Sequence, residues 1–155
     1  HMILFLDTSA LVKFFHQEEG THVVVSIMSD LINEIWVSEL ARLEFVCALH
    51  RRLRMNELTE DDLNKVLNGF YKEYSRLNTK KIGRAVLNEA EALVKRLGKT
   101  SGLRALDAIH LATFSLFNQI EEMLFVAADE ILLKAVKSIG ARAINPLSGP
   151  EIIMP

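Results

Sequence analysis

The sequence contains little cysteine, little proline and no long apolar run. Of its 155 residues, one is cysteine and three are proline. Because Cys47 is the only cysteine, no disulfide can form within the chain, and we expect a reducing, cytoplasmic location. No apolar stretch approaches the roughly 18 residues that a membrane-spanning helix needs. The opening run Ile3-Leu4-Phe5-Leu6 is too short for a signal peptide. These absences argue against a disulfide-stabilised secreted domain and against a membrane protein.

The composition is that of an ordinary soluble globular domain, with 50% apolar and 25% charged residues. A net charge of −2 excludes a polybasic nucleic-acid binder. We expect a single domain over residues 2–147 and a loosely held tail over residues 148–155. We interpret His1, which precedes Met2, as a residue left from cloning, and we therefore exclude it as a metal ligand. Cys47 lies in an apolar helical pattern, which predicts a place in the core.

Short apolar runs alternate with helical patterns along the whole chain. The patterns predict strands at 2–6, 35–37, 80–82, 123–127 and 141–144, and helices at 10–15, 23–32, 39–55, 59–77, 86–97, 103–118 and 129–138. Thr59 and Asp62 predict a capping box at the start of the fourth helix, and Gly98 is expected to end the fifth. Each connection between strands contains a helix, which favours a short, mainly parallel sheet with helices on both faces. The predicted fold class is therefore α/β, with three α/β/α layers.

Two acids lie within apolar helices. Asp107 follows Leu103-Arg104-Ala105-Leu106 and precedes Ala108-Ile109-His110-Leu111, and an unpaired charge in such a helix is costly. An ion pair with Arg104 or His110 is the structural alternative to a functional role. Glu44 has Leu40, Cys47 and Ala48 as helical neighbours, which predicts an apolar stripe. Its structural alternative is a Glu at the edge of that stripe, paired with Arg51 or another base.

Two further acids follow predicted strands. Asp7 comes after Ile3-Leu4-Phe5-Leu6, and Asp129 comes after Phe125-Val126-Ala127-Ala128. Either could be a helix N-cap, a role that aspartate fills at a gain of about 1 kcal/mol. Ligands of parallel sheets bind where the strands end, so we expect Asp7 and Asp129 at one edge of the sheet.

Four acids near one another would repel, and a divalent cation would remove that repulsion. An all-carboxylate set favours Mg²⁺ or Mn²⁺ over zinc. Ser9 could contact a metal-bound water or a phosphate, although helix capping explains it equally well. His110 is interpreted as a packed histidine beside the site more readily than as a ligand. Basic clusters at 51–54, 80–84 and 95–104 could guide a phosphate backbone, but the sequence does not distinguish among them.

Three stretches, with Glu44 between the first two, resemble the PIN domain, and more narrowly the VapC-type toxins of prokaryotic toxin–antitoxin pairs. They are Asp7-Thr8-Ser9-Ala10-Leu11-Val12-Lys13, Leu106-Asp107-Ala108-Ile109-His110-Leu111-Ala112-Thr113 and Phe125-Val126-Ala127-Ala128-Asp129. The resemblance implies a three-layer α/β/α fold, an Mg²⁺- or Mn²⁺-dependent ribonuclease, a homodimer, and a small antitoxin docked near the acids. By position, Asp7, Glu44, Asp107 and Asp129 match the family's acidic quartet, and Ser9 matches its small polar residue. The chain departs from many members at Ala127, where they carry Thr or Ser.

The hypothesis from the sequence is an endoribonuclease whose metal ligands are the four acids. Its main rival is a catalytically inactive PIN-like module that binds RNA or a protein partner. A phosphatase with Asp7 as nucleophile ranks last, because such enzymes usually place a second Asp where this chain has Ser9.

Overall fold

The computed structural model describes residues 1–155, with five strands and seven helices. The strands are β1 (Ile3–Leu6), β2 (Glu34–Ser38), β3 (Asn78–Lys80), β4 (Leu124–Val126) and β5 (Arg142–Ile144). The helices are α1 (Thr8–Phe15), α2 (Thr21–Ser29), α3 (Leu40–Arg54), α4 (Glu60–Tyr74), α5 (Arg84–Ser101), α6 (Ala105–Asn118) and α7 (Glu130–Ser138). None of these helices has the length and apolarity that a membrane span requires.

The five strands form one sheet in the order β3-β2-β1-β4-β5, and every pair is parallel. Since all strands point the same way, their carboxyl ends share one edge. Strands β2 and β3 lie on one side of β1, and strands β4 and β5 lie on the other side. The strand order therefore reverses between β1 and β4. The predicted α/β architecture with a parallel sheet is confirmed, and this reversal is where such sheets bind ligands.

Each face of the sheet buries its own core, and the alternation of side chains along β1 explains why. Phe5 points into one core, formed with α5, α6 and α7, while Leu4 and Leu6 point into the other, formed with α1 to α4. Phe5 stacks on Phe125 at 5.6 Å between ring centroids. Helices therefore cover both faces of β1, and only its ends can present polar groups.

Several boundaries differ from those predicted. The predicted strand at 80–82 lies instead at Asn78–Lys80, and the second helix covers Thr21–Ser29 rather than 23–32. Helix α5 runs through Gly98 to Ser101, because Leu97 packs in the core and the Ser101 hydroxyl donates to the Leu97 carbonyl at 2.6 Å. Its C-cap is Gly102 at φ 68°, a left-handed conformation that glycine adopts without strain.

Two local predictions have opposite outcomes. The capping box of Thr59 and Asp62 is present and confirmed. The placement of Cys47 in the core was wrong, since its side chain is exposed. The core-facing residues of α3 are Ala41, Phe45 and Leu49, which leaves the Glu44 and Cys47 positions on a different face. Within the C-terminal segment, Ile153 pairs with Ala143 in an antiparallel bridge.

Candidate active site

Asp7 and Asp129 lie at the sheet edge where the strand order reverses. Asp7 directly follows β1, and its N–H donates to the Val126 carbonyl at 3.2 Å, which continues the β1–β4 pairing. Asp129 follows β4 after two intervening residues. The Ser9 hydroxyl accepts from the Ala128 N–H at 3.1 Å, so the start of α1 is tied to the segment that leads into α7. Residues more than a hundred positions apart are thereby fixed beside one another.

The Asp7 carboxylate is almost completely buried, with 5% of its surface exposed. It caps α1 by accepting from the Ala10 N–H at 3.0 Å, and it accepts from the Ser9 hydroxyl, which lies 2.7 and 2.8 Å from its two oxygens. The pKa of Asp7 is raised to about 6, because burial and, to a lesser extent, the nearby Asp129 outweigh the lowering effects of His110, Ser9 and Ala10. This carboxylate is therefore destabilised in its charged form, as expected of a group that lacks a full counter-charge.

Asp107 and Asp129 share one cation, the guanidinium of Arg104. Arg104 Nε donates to Asp107 Oδ2 at 3.1 Å, and Arg104 Nη2 lies 3.6 Å from Asp129 Oδ2. The two carboxylates raise the pKa of Arg104 above its ordinary value, Asp107 first by hydrogen bond and charge, and Asp129 by charge. Asp129 also caps α7 through Oδ1, which accepts from the Leu132 N–H at 3.0 Å. Capping thus occupies one oxygen of Asp129 and leaves the other facing Arg104.

Glu44 is held by a second pair of residues, Thr8 and His110. The Thr8 hydroxyl donates to Glu44 Oε1 at 2.8 Å, and His110 Nε2 is hydrogen-bonded to the same oxygen. Burial would raise the pKa of Glu44, but the hydrogen bonds and charge of His110 and the Thr8 hydroxyl outweigh it, so the pKa is lowered. His110 is 3% exposed, and its Nδ1 has no hydrogen-bond partner. His110 is therefore a buried residue that orients Glu44.

The side chains fit a divalent cation by their chemistry, although no group of three or more His, Cys, Asp and Glu side chains lies in metal-binding geometry. All four acids supply oxygen donors, the kind of ligand that Mg²⁺ and Mn²⁺ prefer. Arg104 spans Asp107 and Asp129, which means that a positive charge is already stabilised at this point. Arg104 therefore offsets part of the negative charge of these two acids.

The sequence indicates Arg104 as a possible partner of Asp107 and as part of a basic cluster, but it gives no sign of the Thr8 contact with Glu44. The Arg104 pairing was visible as an i, i+3 spacing, but its second partner, Asp129, was not. Asp107 also lies in the first turn of α6 rather than in the middle of a helix. There the helix dipole favours a negative charge, so the cost inferred for this acid was overestimated.

Comparison with known proteins identifies the family. Residues 4–138 match the model of the PIN domain, so the chain belongs to the PIN domain family and the resemblance drawn from the sequence is confirmed. A sequence comparison with curated proteins gives no significant match.

Solved structures with the same fold include toxin–antitoxin proteins. VapBC2 from Rickettsia felis, bound to a DNA fragment from its promoter, superposes with a TM-score of 0.65 at 16% identity over 93% of this chain and 98% of that one. VapC20 from Mycobacterium tuberculosis, a sarcin–ricin loop cleaving toxin, gives 0.64 at 13% identity over 85% and 94%. A toxin–antitoxin complex from Klebsiella pneumoniae gives 0.62 at 15% identity over 92% and 97%. At these identities the likeness establishes the fold.

The buried Asp7 predicts that Asp7→Asn is more stable than the unchanged protein at pH 7 in metal-free buffer. The pKa of Asp7 is about 6 in the folded protein, against its ordinary value of 3.8. As the pH rises between these values, the unfolded chain loses a proton that the folded protein keeps, and the unchanged protein loses stability. The gain from Asn is at most about 3 kcal/mol at neutral pH and vanishes below about pH 4. Asparagine preserves the helix cap.

Urea unfolding of both proteins at several pH values measures this difference. Asp61→Asn removes an exposed carboxylate from the first turn of α4 and is the control. A stability difference between Asp7→Asn and the unchanged protein that stays constant from pH 4 to pH 7 would contradict the prediction.

Proposed function

We propose that this protein is a metal-dependent endoribonuclease and the toxin of a toxin–antitoxin pair. The observation that carries the proposal is the cluster of acids at the sheet edge, where one guanidinium contacts Asp107 and Asp129 near the buried Asp7. Membership of a family that consists generally of nucleases supports the reaction class. RNA as substrate is supported by the structural likeness to a toxin that cleaves the sarcin–ricin loop.

In this proposal Asp7, Glu44, Asp107 and Asp129 hold Mg²⁺ or Mn²⁺. Such an ion, when bound, activates water and neutralises phosphate oxygens during in-line displacement. The Ser9 hydroxyl fixes the orientation of the Asp7 carboxylate, and Thr8 and His110 fix that of Glu44. Residues that orient ligands in this way typically affect metal affinity or activity by about 10- to 100-fold. An ion held by Asp107 and Asp129 would compete with the guanidinium of Arg104 for these two carboxylates.

Cleavage of RNA by the purified protein is expected to need Mg²⁺ or Mn²⁺ and to fall by about 100-fold or more in Asp7→Asn, because a lost ligand costs more than a lost orienting residue. Asp61→Asn, on the exposed side of α4, is expected to cleave like the unchanged protein. Gel analysis of a mixed RNA substrate measures both rates. Equal cleavage by Asp7→Asn, or cleavage that persists in excess EDTA, would overturn the proposal. Metal binding without cleavage of varied RNAs would instead indicate a binding module.

The competition between Arg104 and a metal can be measured separately from catalysis. Arg104→Gln is expected to bind Mn²⁺ about two- to fivefold more tightly, because the ion no longer displaces a cation from Asp107 and Asp129. Arg142→Gln is the matched control, since Arg142 pairs with Glu122 at 2.9 Å at the opposite edge of the sheet. The signal of free Mn²⁺ in electron paramagnetic resonance reports the affinity. Identical Mn²⁺ affinities for Arg104→Gln and the unchanged protein would exclude Arg104 as a competitor.

The partners of the protein belong to the proposal as well. We propose a small antitoxin as its protein partner, since structures with this fold include toxin–antitoxin complexes. A homodimer and a cytoplasmic location, which the PIN and VapC resemblance and the single cysteine suggested, are proposals of the same kind.

A short reading frame for a DNA-binding antitoxin is expected just upstream of the gene. Co-expression of that frame is expected to relieve growth arrest caused by this protein, and Asp7→Asn alone is expected to cause none. Colony counts after induction provide the measurement. Equal growth arrest by the unchanged protein and by Asp7→Asn would show that growth arrest does not require Asp7, and would contradict this prediction.

A further inference from the structure

A groove leads away from the acidic site along one face of α3. It encloses about 570 Å³, and its lining includes Ser9, Thr8 and Glu44 at one end and Arg51 and Arg54 at the other. The exposed Cys47 lies between these ends. Positions 44, 47, 51 and 54 follow the helical spacing of three and four residues, so they share one face. At 1.5 Å of rise per residue, Arg51 lies about 10 Å and Arg54 about 15 Å along the helix from Glu44.

The basic side chains of this groove differ in their pairing. Lys13 and Arg52 both contact Glu18, at 3.0 and 2.6 Å, and Arg52 also lies 3.9 Å from Glu57, so both cations have acidic partners within the protein. Arg51 and Arg54 are exposed and form no ion pair or side-chain hydrogen bond. Two positive charges on the groove face of α3 are therefore available to a ligand of opposite sign.

The other basic clusters lie outside this groove, although Lys81, Arg84, Arg96 and Lys99 are exposed as well. In the cluster at 80–84, the Lys80 ammonium lies over the rings of Trp36 and Phe117, at 4.8 and 3.9 Å from their centroids. In the cluster at 95–104, Lys95 lies 3.9 Å from Glu91, and Arg104 is held by the acids. Neither Lys80 nor Lys95 lines the groove. Of the three clusters, the one on α3 lines the groove together with Thr8, Ser9 and Glu44.

We propose that this groove receives the sugar–phosphate backbone of single-stranded RNA, with Arg51 and Arg54 on phosphates a few nucleotides from the bond at the acidic site. The inference rests on the proposed function. A polyanion that extends from the four acids needs positive charge beside them, because the acids alone would repel it. Arginine in an exposed groove supplies that charge and can bind phosphate in bidentate fashion. The contacts are to the backbone, so they position RNA of any sequence.

The first test measures binding of a fluorescent oligouridylate, about 12 nucleotides long, by the full-length protein in EDTA. Arg51→Gln/Arg54→Gln is expected to weaken binding about tenfold and to reduce the slope of log K against log salt by about 1.4, or 0.7 for each phosphate contact. Arg96→Gln/Lys99→Gln removes the same charge from exposed positions of α5 and is expected to change binding little. Arg51→Lys/Arg54→Lys keeps the charge and is expected to retain most of the affinity.

The second test uses Cys47, the single cysteine of the chain, as a reporter inside the groove. Saturating oligouridylate is expected to slow the alkylation of Cys47 by N-ethylmaleimide several-fold in the unchanged protein. At the same RNA concentration, the protection is expected to be lost in Arg51→Gln/Arg54→Gln. Mass spectrometry of the modified chain gives the rate.

The two proposals fail in different ways. Binding with Cys47 protection in a protein that never cleaves RNA would support the groove and overturn the nuclease. Normal cleavage, with equal oligouridylate affinity in Arg51→Gln/Arg54→Gln and no protection of Cys47, would overturn the groove and leave the nuclease standing. Protection of Cys47 by a peptide but not by RNA would also overturn the groove proposal, since the occupant would then be a protein.

Discussion

The burial of the Asp7 carboxylate determines which polar groups must surround it at the candidate site. Asp7 stands at the end of the central strand, where both faces of the sheet are covered and water has little access. Removing a charge from water is costly unless hydrogen bonds and counter-charges replace the lost solvation. The Ser9 hydroxyl, the Ala10 N–H and the nearby His110 each supply part of this replacement. The raised pKa of Asp7 shows that together they do not supply all of it.

Helix α3 has two faces with different roles. Ala41, Phe45 and Leu49 pack in the core, and the ring of Phe45 stacks on that of Phe70 at 3.8 Å. The adjacent face carries Glu44 at one end and two unpaired arginines at the other. The rigid packing of the first face fixes the positions of the charges on the second. Along this face of α3, the charge thus changes from negative at Glu44 to positive at Arg51 and Arg54.

The sequence predicted the order of strands and helices well, but it predicted the contacts between distant side chains poorly. Four apolar strands, a helix in each connection and the Thr59 capping box are local signals that appear in the fold, whereas the polar strand β3 was displaced from its predicted position. The contact between Glu44 and His110 joins residues 66 positions apart, and no local pattern indicates such a pair. The error over Cys47 has the same origin. An apolar stripe shows that a helix has several nonpolar neighbours, but not which of its faces meets the sheet.

The four acids themselves were recognisable because each departed from its local setting, as Asp107 did beside Leu106 and Ala108. The sequence did not show how their charges are balanced. Arg104 lies three residues before Asp107 and 25 residues before Asp129, and only the packing of α6 beside α7 brings it to both. Balance of charge in a folded site depends on tertiary neighbours, which periodicity and motif spacing do not specify.

The position of Arg104 has a consequence for how the protein matures. Many small metalloproteins remain unfolded until their ion arrives, because their ligands repel one another or lack partners without it. Here the guanidinium that contacts Asp107 and Asp129 is part of the polypeptide, so it is present as soon as the chain is synthesised. Part of the negative charge of these two acids is therefore offset by the chain itself, before any ion is bound. An ion bound by the four acids would add stability to this arrangement by mass action, rather than supply the first positive charge in it.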